Sequence, residues 1–171
     1  ELYTQMVDRA VKKLQQAESG LAPEDINVRL DHIDQTIPES YIRSTSQRLS
    51  LYKALGTLPT KEDLWDFRNG IENRFGALPE SVLNIFRNAE VRLWGQLHGV
   101  ETIEHDSNRL RIQVKDASKL NHEKLIEWLC EQETALSYIP ENTLDYKNVP
   151  PEMPAILNGL KKLEQVFTGS G

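Results

Sequence analysis

Hydrophobic residues recur every three or four positions at Leu2, Met6, Ala10 and Leu14, with Tyr3, Val7 and Val11 beside them. Such a stripe predicts a helix ending near Gly20. The period then falls to two: Ile26, Val28 and Leu30 alternate with polar residues from Asp25 onward, which places them on one face of a strand. Pro38 prevents a smooth helix through Ile37-Pro38-Glu39-Ser40-Tyr41-Ile42, so this stretch is expected as an extended tether held by Ile37, Tyr41 and Ile42.

Helical spacing returns after Ser44-Thr45-Ser46-Gln47, a capping-box pattern, and predicts a helix to about Leu55 that buries Leu51, Leu55 and the Arg48 stem. Gly56 stands where a left-handed terminating residue is expected, and Thr60 is the next cap. The following helix spans about Lys61 to Arg74. At 100° per residue Leu64, Phe67, Ile71 and Phe75 share one side, while Glu62, Asp66, Asn69 and Asn73 lie opposite. Pro79 suits the first position of a third consecutive helix, whose buried stripe is expected at Val82, Phe86, Ala89, Leu93 and Leu97, stopping at Gly99.

Period-two alternation resumes in Val100 to His105 and Arg109 to Val114 around Asp106-Ser107-Asn108, the composition of a hairpin turn. Leu125, Trp128 and Leu129 define another helix capped near Asn121, and a second hairpin runs from Ala135 to Ile139 and Thr143 to Tyr146. Pro150, Pro151 and Pro154 separate it from a last helix carrying Ile156, Leu160, Leu163 and Phe167. No internal repeat is evident. The order predicts an α+β fold: a helix-rich single domain with a small, mainly antiparallel sheet built from one N-terminal strand and two hairpins, neighbours in sequence being antiparallel.

At 171 residues the chain can bury a core without metal or disulfide. Its one cysteine, Cys130, lies in an apolar run and is expected as a buried, inert thiol in a reducing compartment, the cytoplasm fitting best. No apolar stretch approaches the roughly 20 residues that span a bilayer. The abrupt helical start, without a secretory leader, is what a piece of a longer chain would show. A net charge of -6 disfavours binding to a phosphate backbone and points to a protein partner with a basic face. Lys12-Lys13 and Lys161-Lys162 sit among acids and are expected on the wet sides of terminal helices.

Signatures of chemistry are sparse. His32, His98, His105 and His122 lack a partner His or Cys at ligand spacing, so surface or helix-end histidines are favoured over a metal site. No phosphate-cradling glycine loop, nucleophile elbow or dinucleotide fingerprint is present. Glu101, Glu104 and Asp106 could serve a hydrolase as acid and base, but a solvated face accounts for them better. Trp65 lies about 100° from the apolar centre of its helix, at the edge of a partner surface.

Three segments carry a family resemblance: Ile37-Pro38-Glu39-Ser40-Tyr41-Ile42, then Gln47-Arg48-Leu49-Ser50-Leu51-Tyr52, then Arg74-Phe75-Gly76-Ala77-Leu78-Pro79. With Glu1-Leu2-Tyr3-Thr4-Gln5-Met6 ahead of them, the chain resembles the C-terminal regulatory (TRCF) domain of bacterial transcription-repair coupling factors, the Mfd family. The resemblance divides the chain into a helix joining an upstream translocase body (1–20), the regulatory domain (21–168) and a flexible tail that looks like an artificial addition (169–171). It implies a non-catalytic module of an ATP-dependent DNA translocase, with ATP and magnesium used only by the parent's motor and no cofactor here. The module would dock on the parent's UvrB-like N-terminal domain, mask UvrA binding and restrain the motor until RNA polymerase is engaged, without direct nucleic-acid or membrane contact. The docking surface it implies is Glu62, Trp65, Asp66, Asn69, Gly70, Glu72 and Asn73. The family's acidic positions, four before and one before Arg-Phe-Gly, fall here on Gly70 and Asn73, leaving Glu62, Asp66 and Glu72 to supply the charge. A structural module touching DNA weakly through its lysine pairs is the alternative.

Overall fold

The computed structural model describes residues 26–30, 32–131 and 135–168. The helix expected over residues 1–20, Lys12-Lys13 and the tail lie outside them. The chain forms two compact units, and the second is assembled from two separated stretches: Gln35–Phe86 belong to the first, Ile26–Asp34 and Arg87 onward to the second.

In the first unit the tether turns at Pro38, whose carbonyl accepts from the Tyr41 and Ile42 amides, and Ile37 and Ile42 are buried. Helix α1 (Thr45–Leu55) begins where Ser44 accepts from the Gln47 amide at 3.3 Å. The Arg48 guanidinium donates back to the Ile42 carbonyl at 2.6 Å and the Arg43 carbonyl at 3.0 Å, so its half-buried stem ties helix to tether. Leu55 is buried, whereas Leu51 is only half-buried. Gly56 differs from expectation: it stays right-handed at φ -74°, and its amide continues the helical bonding to the Tyr52 carbonyl. Helix α2 (Lys61–Phe75) starts at Thr60, which accepts from the Asp63 amide at 3.1 Å and donates to the Asp63 carboxylate at 2.8 Å. Leu64 and Ile71 are buried, with Phe67 and Phe75 half-buried beside them. The first turns of α3 (Glu80–Leu97) complete this unit with Val82, Ile85 and Phe86 buried.

The second unit holds a five-stranded sheet in the order β1-β2-β3-β5-β4, from β1 (Asn27–Arg29), β2 (Val100–Asp106), β3 (Arg109–Val114), β4 (Leu136–Ile139) and β5 (Thr143–Lys147). Both hairpins form as expected. Ser107 and Asn108 take φ of 49° and 63°, and Glu141 and Asn142 take 65° and 56°, the paired positive values of a tight hairpin turn. One pairing departs from the antiparallel expectation: β1 runs parallel to β2, Val28 opposite Ile103. A parallel neighbour needs a long crossover, and here the chain from Gln35 to Phe86 is encoded between the two strands.

One sheet face carries the core of this unit, in which Ile103, Leu110, Ile112 and Leu144 have no measurable exposure. Helix α4 (His122–Glu131), capped by Asn121 accepting from the Lys124 amide at 3.1 Å, contributes Leu125. Helix α5 (Met153–Leu163) contributes Met153, Ile156, Leu160 and Leu163, and Phe167 is buried after a 3-10 turn. The later half of α3 approaches the sheet at Gly95, where a Cβ would lie 2.8 Å from the Ile26 Cδ1 and 3.2 Å from the Ile103 Cδ1. Pro154, expected as a separator, sits in the first turn of α5, where its missing N–H has no helical partner to lose. Leu97, assigned by spacing to the buried stripe, is 77% exposed at the last position of α3.

Candidate functional site

The outer face of α2 is the surface on which the sequence places its docking residues. Opposite the buried Leu64 and Ile71, the side chains of Glu62, Trp65, Asp66, Glu72 and Asn73 are exposed, and Asn69 is half-buried. All seven positions therefore share one side of one helix. Trp65 is 59% exposed, with the Arg68 guanidinium 5.4 Å from its ring centroid. That contact holds the indole on the helix surface by attraction between cation and ring face. Gly70 interrupts the row, and a Cβ built there meets nothing within 4 Å. Glu62, Asp66 and Glu72 make no ion pair among the described residues.

The C-terminal end of α2 is fixed by the Arg74-Phe75-Gly76 motif itself. Gly76 takes φ 95° and ψ -172° while its amide donates to the Glu72 carbonyl at 2.9 Å, a backbone region open in practice only to glycine. The Tyr41 hydroxyl donates to the Gly76 carbonyl at 2.8 Å, and its ring lies 6.0 Å from that of Phe75. Arg74 covers the other ring contact, 5.1 Å from the Phe75 centroid. Burial, then the nearby Glu72 carboxylate, raises the Tyr41 phenol above its usual pKa, which keeps the hydroxyl protonated as a donor. The motif is thus a joint linking the tether to α2, and Tyr52 adds to it by accepting from the Ile37 amide at 2.7 Å.

Elsewhere the structure revises the expected chemistry. Cys130 is exposed, not buried: the apolar run Leu125 to Cys130 is helical, so only part of it can face the core, and Ile126 is 61% exposed on the outer side. His98, at the end of α3 as one of the expected alternatives had it, is buried, and His105, expected at a surface or helix end, is buried on β2. His98 packs between the Trp94 and Phe167 rings, with Nε2 3.5 Å from the Glu164 carboxylate, an ion-pair distance without hydrogen-bond geometry. Desolvation lowers its pKa, against a smaller opposing pull from Glu164. His105 meets His32 with ring nitrogens 3.0 Å apart, a pair that spacing along the chain gave no means of finding.

Among the proposed acid-base carboxylates, Glu104 is held by Arg111 at 3.2 Å and Arg29 at 3.8 Å, and Asp106 by Arg111 at 3.8 Å. They belong to a cross-strand ladder on the outer sheet face, bordering a cleft of about 370 Å³, and the arginines account for their presence as charge partners. Lys161 and Lys162 are exposed in the last turn of α5, where cations complement the helix dipole. Among the described residues no three His, Cys, Asp or Glu side chains gather as a metal site, and no helix is long and apolar enough to cross a membrane.

Comparison with known proteins agrees with the motif segments. The transcription-repair-coupling factor of Staphylococcus epidermidis is 32% identical over 129 residues, covering 73% of this chain and 11% of that protein. The Bacillus subtilis factor is 28% identical over 131 residues, covering 74% and 11%, and the Borreliella burgdorferi factor 23% identical over 153 residues, covering 87% and 13%. The chain therefore spans about a tenth of the length of these relatives. A crystal structure of the C-terminal domain of transcription-repair coupling factor superposes with a TM-score of 0.67 over 86% of this chain and 96% of that one, at 14% identity, a likeness of fold. The TRCF domain model matches residues 32–125, more than half of the chain and all three motif segments after the first helix, and the chain belongs to the TRCF domain family.

Proposed function

We propose that this chain is the C-terminal regulatory domain of a transcription-repair coupling factor, and that the outer face of α2 is its docking surface. Residues 21–168 form the domain and 1–20 join it to the translocase body. The chain itself is non-catalytic: ATP and magnesium serve the motor domains of the cytoplasmic parent. The observation that carries this reading is the exposed row of Glu62, Trp65, Asp66 and Glu72 on one side of α2, without an ion pair among the described residues. Such a face fits a basic surface with an apolar notch for the indole, here assigned to the UvrB-like domain of the same protein.

Docking there covers the surface that binds UvrA and restrains the motor. Exposed ion pairs contribute about 0–1 kcal/mol each, so three carboxylates make a lock weak enough to release, with Trp65 as the anchor residue. Gly70 and Asn73, where the family resemblance has acids, lower the number of pairs further. Engagement of RNA polymerase opens the lock only by the difference in its affinity for the open and closed forms. The test is Asp66→Lys combined with Glu72→Lys in the full-length protein, measuring basal ATPase and UvrA binding. Both should rise; if neither changes, the reading fails.

A further inference from the structure

We infer that His32 and His105 form a one-proton clasp that fastens the His32–Asp34 segment to the end of β2 and opens when a second proton binds. The tautomers follow from the partners. His105 Nε2 lies 2.6 Å from the Val149 carbonyl, which can only accept, so Nε2 carries the hydrogen and Nδ1 is a bare lone pair. Nδ1 faces His32 Nε2 at 3.0 Å, so the hydrogen between the rings belongs to His32.

The centroids are 5.0 Å apart and the planes differ by 24°, so with nitrogens at 3.0 Å the rings meet nearly end to end, and the bare Nδ1 lone pair of His105 is directed at the His32 Nε2–H.

A second proton must enter at Nδ1 of the buried His105, where two N–H groups would then oppose each other. Among the described residues, few charged or titratable groups lie about His105. His32 faces it from the segment after β1, and Asp106 neighbours it on β2 but already accepts from the Ser107 hydroxyl at 3.0 Å and pairs with Arg111. Val149 offers only its carbonyl, and the β3 register partner, Leu110, is apolar. Burial is the largest influence on His105 and pushes its pKa down; His32 acts the same way, with Val149 and Asp106 opposing. Ile33, whose amide donates to the Leu30 carbonyl at 3.1 Å, and Leu30 are both in the core of this unit. Opening the clasp therefore loosens the three-residue edge strand β1, the one parallel member of the sheet.

The experiment is side-chain 15N–1H NMR of the whole chain from pH 8 to pH 4, with amide exchange of residues 26–34 measured on the same samples. At neutral pH His105 should show the Nε2–H tautomer. His105 should titrate below the usual histidine range. Through that step the protection factors of the segment should fall about tenfold per pH unit, the signature of one proton coupled to opening. His32→Ala removes the opposing N–H group without disturbing a buried position, and His105 should then titrate at higher pH. An Nδ1–H tautomer of His105 at neutral pH, protection factors that do not follow the His105 step, or an unmoved His105 in His32→Ala would each overturn the inference.

Discussion

Replacing Gly70 by alanine is expected to stabilise the protein. The position is the tenth of fifteen in α2, well inside both ends, so its amide and carbonyl are in the regular helical ladder. A Cβ there meets nothing within 4 Å, so the methyl neither clashes nor gains contacts. What remains is the backbone: glycine in a helix interior is less favourable than alanine by about 0.8–1.0 kcal/mol, chiefly because the unfolded chain loses more freedom on folding. For a cooperative unfolding of a chain this long, such a gain raises Tm by about 2–4 °C. If the first unit melts by itself the same energy moves its midpoint by about 4–8 °C, so the size of the shift also reports whether the two units unfold together. The assay is thermal and urea unfolding followed by far-UV circular dichroism, with hydrogen exchange over residues 61–75 to locate the gain. A loss of stability, or slower exchange confined to residues outside α2, would refute the reasoning, since either means that Gly70 is not an open mid-helix position.

Gly76→Ala should act in the opposite sense, costing about 1–3 kcal/mol because its φ of 95° with ψ -172° suits glycine alone; an unchanged urea midpoint would show that the joint relaxes at no cost. Thr60→Ala removes the acceptor for the Asp63 amide and should lower stability by about 0.5–2 kcal/mol, visible as faster amide exchange in the first turn of α2. For His98, burial puts the folded pKa below that of the unfolded chain. The unfolded state therefore takes up the proton first, and stability falls as pH drops from about 6.5 toward the folded pKa, staying level above that window. His98→Gln should flatten this fall in a series of urea midpoints between pH 5 and 8, and a slope identical to that of the parent chain would contradict it.

The helices of this protein were legible where an apolar stripe and a cap coincided. Thr60 followed by Leu64, Phe67 and Ile71 fixed α2, and with it the side that Glu62, Asp66 and Trp65 occupy. Both hairpins were legible because Ser107-Asn108 and Glu141-Asn142 include the residue types that tolerate positive φ. The misplacements came from what a stripe cannot weigh. Leu97 has the hydrophobicity of a core residue, but its exposure depends on what lies opposite, which spacing alone does not reveal, whereas Cys130 falls on the same outer side of its helix as Ile126. Gly56 can be left-handed and is not, because Thr57 continues the turn by donating its amide to the Ala54 carbonyl. The parallel direction of β1 and the meeting of His32 with His105 arise from closure over long stretches of chain, beyond the reach of any local pattern.

That closure also orders events in time. His32 and His105 are 73 positions apart, and Val28 pairs with Ile103 over a similar span, with Gln35–Phe86 of the first unit encoded between them. During synthesis at about 5–20 residues per second, domains fold as units as they emerge. The tether, α1 and α2 are therefore complete while β1 still has no strand to join. The second unit can start its sheet only once β2 has been made, because β1 pairs with that strand alone. Mutations in the first unit should thus disturb the ribosome-bound chain earlier than mutations in β1, which is unpaired until β2 has been made.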